Sequence, residues 1–316
     1  MTPCRFLSLR LPLMAAAALV AGAAWNGGFT RVEIPSSADG DLQPAYFLAA
    51  QTDGPAPLLV SLHTWSADYT QEDPLANMAA AAGWNYIRPN FRGPNWTPDA
   101  CLSDKAVSDI DDAIAYALDH GRVDLDNIFV VGASGGGYAA LGAYLRTPFP
   151  VKAFVAWVPI SDLTAWYYQS KHRDTRYAED ILNCTSDGHM FDEAAARERS
   201  PLFWELPESP NGRLEIYAGI DDGYTGSVPI SHSIRFYNRV VEHYGQTEQT
   251  VGEGDMIKLL TRGVERDDGL GHIGDRAVLY RRDTDAVSLV IFDGGHEMLA
   301  EFCFDRLRRM AEPHDS

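Results

Sequence analysis

The chain has 316 residues and a mass of 34.8 kDa, enough for one large α/β domain or two small ones, which excludes a miniprotein built on disulfides. Hydrophobic residues make up 46% and charged residues 22%, so long disordered regions are not expected. The 26 basic and 44 acidic side chains leave a net charge of −18. This charge argues against nucleic acids and anionic membrane surfaces as partners, because phosphate binding needs clustered lysine and arginine.

The first 24 residues have the order of a secretory signal peptide. Two arginines precede the apolar run Leu11–Ala21, and small residues follow it. The run is shorter than the roughly 20 residues that a membrane-spanning helix needs. We therefore expect cleavage near Ala23 or Ala24 and a secreted or periplasmic mature chain, residues 25–316, without a membrane span.

Short apolar runs alternate with helical patterns along the rest of the chain. The runs predict strands buried on both faces, at Pro57–His63, Trp84–Pro89, Asn127–Gly132, Val151–Val158, Arg213–Gly219 and Val287–Phe292. Helical patterns are found at Glu72–Ala82, Lys105–His120, Gly135–Arg146, Val228–Tyr244 and Glu297–Met310. The alternation predicts an α/β fold, a mostly parallel sheet flanked by helices, led by an antiparallel strand pair at Phe29–Ile34 and Ala45–Ala50.

We expect a single domain over residues 25–316, since no repeat, low-complexity stretch or long linker divides it. Two segments interrupt the alternation, at about 159–211 and 245–285. Long excursions after the strands of such sheets usually form caps over the functional site.

Three cysteines remain after the predicted leader. Cys101 and Cys184 lie in loop-like sequence, whereas Cys303 lies in a helical pattern. An oxidising compartment permits a disulfide, and Cys101–Cys184 is the pair we expect, with one thiol left over.

One strand-to-helix turn carries most of the functional information. The sequence Gly-Ala-Ser-Gly-Gly at 132–136 separates a predicted strand from a predicted helix. Such a turn lifts its central side chain above the sheet and needs small residues two positions before and two after it. Ser134 is therefore the candidate nucleophile, and the amide of Gly135 at the helix N-terminus can donate to an oxyanion.

A serine nucleophile needs a base and a carboxylate that orients the base. His296 follows the last predicted strand in a glycine-rich loop and is the candidate base. The acid should follow the preceding strand, where Asp221 and Asp222 are adjacent and only one can orient the imidazole. Asp293, beside the histidine, is a third candidate.

The second donor of an oxyanion hole should come from the loop after an earlier strand. That loop begins His63-Thr64-Trp65. We expect the backbone amide of Trp65 to be the donor, with Thr64 as the alternative, and His63 to brace the loop.

These motifs resemble those of the α/β-hydrolase superfamily, specifically its prolyl-oligopeptidase-like and secreted esterase branch. The resemblance covers about Pro57–Met310 and rests on the segments 62–65, 89–93, 132–136, 219–222 with 227–229, and 294–296. In that branch the acid commonly lies three residues after a glycine that closes its strand and shortly before a Val-Pro pair, which implies Asp222. The resemblance also implies acyl transfer to water through an acyl-serine, with no metal or organic cofactor.

Two departures from the peptidases of that branch lead us to expect an esterase. The sequence contains no N-terminal propeller domain, and His63-Thr64-Trp65 replaces the His-Gly-Gly of many relatives. The alternatives are a small secreted peptidase of the same mechanism and a noncatalytic binding protein with the same fold. No His-x-x-x-His or paired Cys-x-x-Cys spacing favours a metal enzyme.

The candidates for substrate binding are Arg92, Trp96 and Trp166. Arg92 directly follows a predicted strand at the catalytic edge of the sheet. Flat aromatic faces suit sugar rings, although large aromatic side chains more often pack a core. The predicted function is thus a secreted serine esterase acting on small ester substrates or, as a carbohydrate esterase, on acylated or methylated polysaccharide.

Overall fold

A computed structural model describes residues 28–186, 190–265 and 268–312, and the predicted signal peptide lies outside these ranges. The described residues form ten strands: β1 (Thr30–Pro35), β2 (Leu42–Leu48), β3 (Ala56–Leu62), β4 (Asn85–Pro89), β5 (Val123–Ala133), β6 (Ala153–Trp157), β7 (Arg213–Gly219), β8 (His272–Ile273), β9 (Arg276–Asp283) and β10 (Val287–Phe292). Their order in the sheet is β1-β2-β4-β3-β5-β6-β7-β10-β9-β8. The six strands from β4 to β10 in this order are parallel, and the strands outside them pair antiparallel.

Helices cover both faces of this sheet. They are α1 (Pro74–Ala81), α2 (Asp104–His120), α3 (Gly135–Arg146), α4 (Leu163–His172), α5 (Tyr177–Thr185), α6 (Glu193–Glu198), α7 (Ser231–His243), α8 (Glu253–Leu260) and α9 (Ala300–Ala311). The apolar residues of α2, α3 and α7 belong to one core cluster, and those of α1 and α9 belong to the other. The predicted α/β-hydrolase fold, a mostly parallel sheet between two helical layers, is confirmed.

The apolar residues of the central strand β5 run without interruption because both faces of this strand are covered. Ile128 and Val130 pack in the cluster on one face of the sheet, and Phe129 and Val131 pack in the cluster on the other. Successive side chains of a strand point to opposite faces, so a strand covered on both sides must be apolar throughout. The same buried strand ends at the turn that holds Ser134.

The two insertions in the alternation have different structures. Residues 159–211 contain α4, α5 and α6, and Tyr177 at the start of α5 reaches the cavity around Ser134. Residues 245–285 contain α8, and β9 extends the sheet by pairing antiparallel with β10. The part of the second insertion that forms β8 and β9 therefore belongs to the sheet and not to a cap. The apolar part of β9 is limited to four residues, 277–280, with charged residues on both sides, so this strand does not form one of the longer apolar runs that predict the other strands.

A disulfide joins Cys101 to Cys184, as expected, and Cys303 is a buried free thiol. The bridge ties the loop after β4 to α5, across 83 residues of sequence. In the part of the chain that the structure describes, no helix has the length and hydropathy needed to cross a membrane.

Candidate active site

Ser134 occupies the sharp turn between β5 and α3 with φ +58° and ψ −117°. A positive φ is uncommon for a residue with a Cβ atom, and such strain persists only where the surroundings enforce it. The Ser134 N–H donates to the carbonyl of Trp157 on β6 (2.9 Å), and the Ser134 carbonyl accepts from the N–H of Tyr138 (2.8 Å). Both backbone groups of the serine are thereby fixed.

The glycines around this turn are required by close backbone contacts. A Cβ atom on Gly132 would lie 2.2 Å from the carbonyl carbon of Gly136. A Cβ atom on Gly136 would lie 2.3 Å from the carbonyl oxygen of Leu62. The turn that exposes Ser134 thus leaves no space for a side chain at either position.

The loop after β3 brings a backbone amide next to the serine. A Cβ atom on Gly135 would lie only 2.2 Å from the amide nitrogen of Trp65, so the two amides are close neighbours. The Thr64 N–H is engaged, because it donates to Oε1 of Gln71 (3.0 Å). The Trp65 N–H donates to no acceptor in the described part of the chain. Of the two residues considered from the sequence, Trp65 has the amide that is available to an oxyanion.

His63 is buried at the start of the same loop. Its two ring nitrogens each lie 2.9 Å from a carbonyl oxygen, that of Thr64 for Nδ1 and that of Asn90 for Nε2. The ring also stacks on Phe91, with 3.9 Å between the centroids. These contacts tie the loop after β3 to the loop after β4, which is the bracing role expected of His63.

His296 and Asp222 form a hydrogen-bonded pair. Nδ1 of His296 lies 2.7 Å from Oδ2 of Asp222, whose side chain is buried. The other carboxylate oxygen, Oδ1, accepts from the amides of Gly223 (2.9 Å) and Val228 (3.0 Å). These contacts hold the carboxylate in one orientation, and the imidazole is oriented by it in turn.

The other two acids considered from the sequence have different positions. The side chain of Asp221 is partly exposed and pairs with Arg262 at 3.4 Å. Asp293 follows β10, and its N–H donates to the carbonyl of Ala277 on β9 (2.9 Å). Of the three, Asp222 makes the hydrogen bond with the imidazole.

Ser134, His296 and Trp65 line one cavity of about 330 Å³. Its remaining walls are formed by Thr64, Ser66, Ala133, Val158, Tyr177, Glu297 and Met298. Glu297 pairs with Arg276 at 3.1 Å, which partly offsets its negative charge beside the histidine. The cavity is therefore bordered by the strained serine, by the imidazole that Asp222 orients and by Trp65, whose amide is available to an oxyanion.

Trp166 does not offer a face to substrate, contrary to the expectation from the sequence. Its side chain is fully buried, and its Nε1–H donates to the carbonyl of Ser227 (2.9 Å). The ring packs against Tyr177 and Trp65, with centroid distances of 4.9 and 4.7 Å. Trp166 thus supports two residues of the cavity wall from behind.

Arg92 and Trp96 lie outside the described lining of this cavity. The Arg92 side chain is 5% exposed and pairs with Asp109 (2.7 Å) and Asp39 (2.9 Å), and its hydrogen bonds to Asp39 lower the pKa of that carboxyl. The half-buried Trp96 ring lies under the guanidinium of Arg176, 5.0 Å from its centroid. With its donors occupied by carboxylates, Arg92 braces the loops after β1 and β4.

Several residues of the site have no sequence signal that marks them. Tyr177 and Met298 line the cavity, and Gln71 and Asp180 hold Thr64 and Trp65. None of the four belongs to a recognisable motif, and Tyr177 and Asp180 lie more than 100 residues from the loop after β3. Among the described residues, no cluster of three or more His, Cys, Asp or Glu side chains is arranged to hold a metal ion.

The fold and the nucleophile turn define the class of this protein as an α/β-hydrolase. The model of the prolyl oligopeptidase family matches residues 73–250, more than half of the chain and including Ser134 and Asp222. The chain therefore belongs to the prolyl oligopeptidase family, whose members are serine hydrolases with this fold.

Solved structures with a similar fold include three from different sources. Acylaminoacyl peptidase of Pyrococcus horikoshii has a TM-score of 0.61 at 16% identity, over 89% of this chain and 40% of its own. A puromycin-hydrolyzing peptidase of Mycobacterium tuberculosis has a TM-score of 0.59 at 17% identity, over 92% and 39%. Prolyl oligopeptidase B of Galerina marginata has a TM-score of 0.58 at 14% identity, over 89% and 36%. The chain thus spans about two fifths of the length of these proteins.

Proposed function

We propose that this chain is a serine hydrolase that cleaves small peptide or amide substrates through an acyl-serine intermediate. The observation that carries the proposal is the 2.7 Å contact between Asp222 and His296, with the histidine in the same cavity as the strained Ser134. A buried carboxylate on Nδ1 selects the tautomer whose Nε2 can accept a proton. The neutral imidazole is thereby prepared to act as a general base.

Each step of the proposed reaction uses a group at this site. His296 takes the proton of the Ser134 hydroxyl as the serine oxygen attacks the substrate carbonyl. The amides of Trp65 and Gly135 donate to the oxyanion that forms. The imidazolium then returns its proton to the leaving group, and a water molecule releases the acyl group by the same route.

Peptide and amide bonds are our first choice of substrate because of family membership and cavity size. The family is named for oligopeptidases, and the similar structures are named as peptidases. A cavity of about 330 Å³ lies at the small end of the range for ligand sites, which favours a small substrate group near the serine.

An ester substrate is the second candidate. It is favoured by Trp65 at the oxyanion loop, where His-Gly-Gly is found in many relatives. Trp96 and Trp166, expected to pack against sugar rings, are absent from the described cavity lining, so small esters are a better proposal than polysaccharides. We also propose secretion, supported by the leader sequence and by the disulfide, which suits an oxidising compartment.

The test compares two substrates that share one acyl group, an N-acetylated amino acid p-nitroanilide and the corresponding p-nitrophenyl ester. We expect both to be cleaved and both activities to be lost in Ser134→Ala. Cleavage of the ester alone, across a series of amino acids, would favour the esterase over the peptidase. Turnover of either substrate by Ser134→Ala at the original rate would contradict the proposed nucleophile.

A further inference from the structure

One face of α5 is directed at the catalytic cavity. Tyr177, Asp180 and Cys184 follow one another at intervals of three and four residues, which places them on the same side of the helix. Tyr177 lines the cavity, and Cys184 forms the disulfide with Cys101. Between them, Oδ2 of Asp180 accepts a hydrogen bond from Nε1–H of Trp65 (3.1 Å).

The segment on the other side of the disulfide holds the same tryptophan. The carbonyl of Trp65 accepts from the backbone N–H of Asn95 (2.8 Å) and from its side-chain amide (3.4 Å). Oδ1 of Asn95 in turn accepts from the N–H of Cys101 (2.9 Å). The disulfide therefore joins two segments that each bind Trp65, one at its indole and one at its carbonyl.

The burial of Asp180 is unfavourable for a carboxylate. Its side chain is 8% exposed, and burial raises its pKa, although Arg176 lies 3.5 Å away on the exposed side. A buried carboxylate costs free energy unless it is well paired and hydrogen-bonded. The geometry that Asp180 imposes on its neighbour offers a reason for its presence, since the Trp65 indole can donate in one direction only.

We propose that Asp180 is a positioning residue for the oxyanion hole. By fixing the indole of Trp65 it fixes the backbone amide of the same residue next to Gly135, while the Cys101–Cys184 disulfide keeps α5 at the distance this contact needs. The inference depends on the proposed function, in which the Trp65 amide binds the oxyanion. Residues 159–211, which contain α5, would then contribute to the chemical step as well as to the cavity wall.

The test measures kcat and KM for Asp180→Ala and Asp180→Asn on the substrate turned over fastest by the unmodified chain. Loss of a whole oxyanion donor typically lowers turnover by about 10²–10³. Since Asp180→Ala displaces the amide rather than removing it, we expect kcat to fall by at least ~10-fold with KM within ~3-fold. Asparagine keeps an acceptor for the indole and should restore most of kcat. Glu179→Ala, at the exposed neighbouring position on α5, is the matched control and should leave both constants unchanged.

A double-mutant cycle separates positioning from a general effect on folding. Trp65→Phe removes the indole N–H and should lower kcat by a factor similar to Asp180→Ala. Adding Asp180→Ala to Trp65→Phe should then cause no further loss. If Asp180→Ala alone does not fold, Trp65→Phe still tests the inference, because it removes the same hydrogen bond from its other end.

Three results would overturn the inference: a kcat within 2-fold of the unmodified chain for Asp180→Ala or Trp65→Phe, independent losses in the double variant, or a change in KM alone. Labelling of Ser134 by a fluorophosphonate distinguishes this failure from failure of the proposed function. If Ser134 is labelled and turnover depends on it while Asp180 variants are fully active, only the inference about Asp180 is wrong. If Ser134 is not labelled, the proposed function fails first.

Discussion

Asp221 and Asp222 are adjacent in the chain and have different surroundings. The Asp222 side chain is 1% exposed and accepts from two backbone amides and the imidazole, whereas that of Asp221 is 28% exposed and pairs with Arg262. A carboxylate held in this way can keep one imidazole tautomer in place throughout a reaction. The difference between the two residues provides a matched pair for mutagenesis.

We expect Asp222→Asn to lower kcat by about 10³–10⁴, because an amide can hold the imidazole in the wrong tautomer. Asp221→Asn should change kcat by less than about 3-fold, since the Asp221 side chain is partly exposed and its ion pair with Arg262 is a surface interaction. Steady-state kinetics on an aryl ester, with thermal unfolding as the check on folding, make the comparison. Equal losses in the two variants would contradict the assignment of the acid.

Residues whose role follows from their position along a strand could be identified from the sequence. Ser134 and His296 follow buried strands in glycine-rich turns, and a parallel sheet brings such turns to one edge. The resemblance to a family was needed to choose Asp222, because the direction of adjacent loop side chains is not encoded in a local pattern. Arg92 and Trp166 were misjudged because the carboxylates and aromatic rings that contact them are distant in sequence.

Among the secondary-structure elements, the site depends on the close approach of β3, β5 and α3. Gly136 lies where the first turn of α3 passes the end of β3, and a Cβ atom there would meet the Leu62 carbonyl at 2.3 Å. On α8, in contrast, a Cβ atom on Gly254 would point into open space, with no neighbouring atom within 4 Å outside the backbone of its own helix. Both glycines belong to helices, but only Gly136 is packed against a neighbouring backbone.

We expect Gly136→Ala to lower the free energy of unfolding by at least about 3 kcal/mol, since backbone atoms must move to admit the methyl group. Gly254→Ala should be neutral or stabilising by up to about 1 kcal/mol, because alanine is the better helix former. Urea unfolding at pH 7 measures both. A Gly136→Ala variant as stable as the unmodified chain would mean that the turn is looser than the structure indicates.

The elements that could be predicted are those with a periodic pattern. β7, β10 and α3 have the predicted bounds, because a buried strand or a buried helix repeats one signal along its length. The small helices of residues 159–211 and the strand β9, whose apolar part covers only residues 277–280, carry little such signal. Their positions depend on contacts with distant residues, as in the disulfide between α5 and the loop after β4.

At the scale of the whole molecule, a buried histidine on α7, His232, links this helix to the insertion formed by residues 159–211. Nδ1 of His232 on α7 accepts from the amides of Ser161 (3.2 Å) and Asp162 (3.3 Å), and its Nε2–H donates to Gln169 (2.9 Å). Burial lowers the pKa of His232 from its ordinary 6.5 to about 4, opposed by the charge of Asp162 and assisted by those of Arg235 and Arg173. The folded protein therefore requires the neutral ring.

A lowered histidine pKa makes the unfolded state bind more protons than the folded state, so stability falls as the pH falls. The contribution of His232 is largest above pH 6.5 and decreases as the pH approaches 4, by about 2 kcal/mol between pH 7 and pH 5. We expect His232→Ala to be less stable at pH 7 but to lose less stability over that interval. His243→Ala, at an exposed position on the same helix, should keep the original pH dependence. Urea unfolding of the three proteins at both pH values makes the comparison, and parallel pH dependences for all three would contradict this role for His232.

The role of Ser134 as the nucleophile of a serine hydrolase underlies every other assignment in the site. Incubation with a fluorophosphonate, followed by mass spectrometry of the digested protein, is the decisive measurement, because the reagent bonds only to an activated hydroxyl. We predict one adduct, on Ser134, which is absent in Ser134→Ala and forms much more slowly in His296→Ala. An adduct on another residue, or labelling that persists in Ser134→Ala, would show that the nucleophile lies elsewhere.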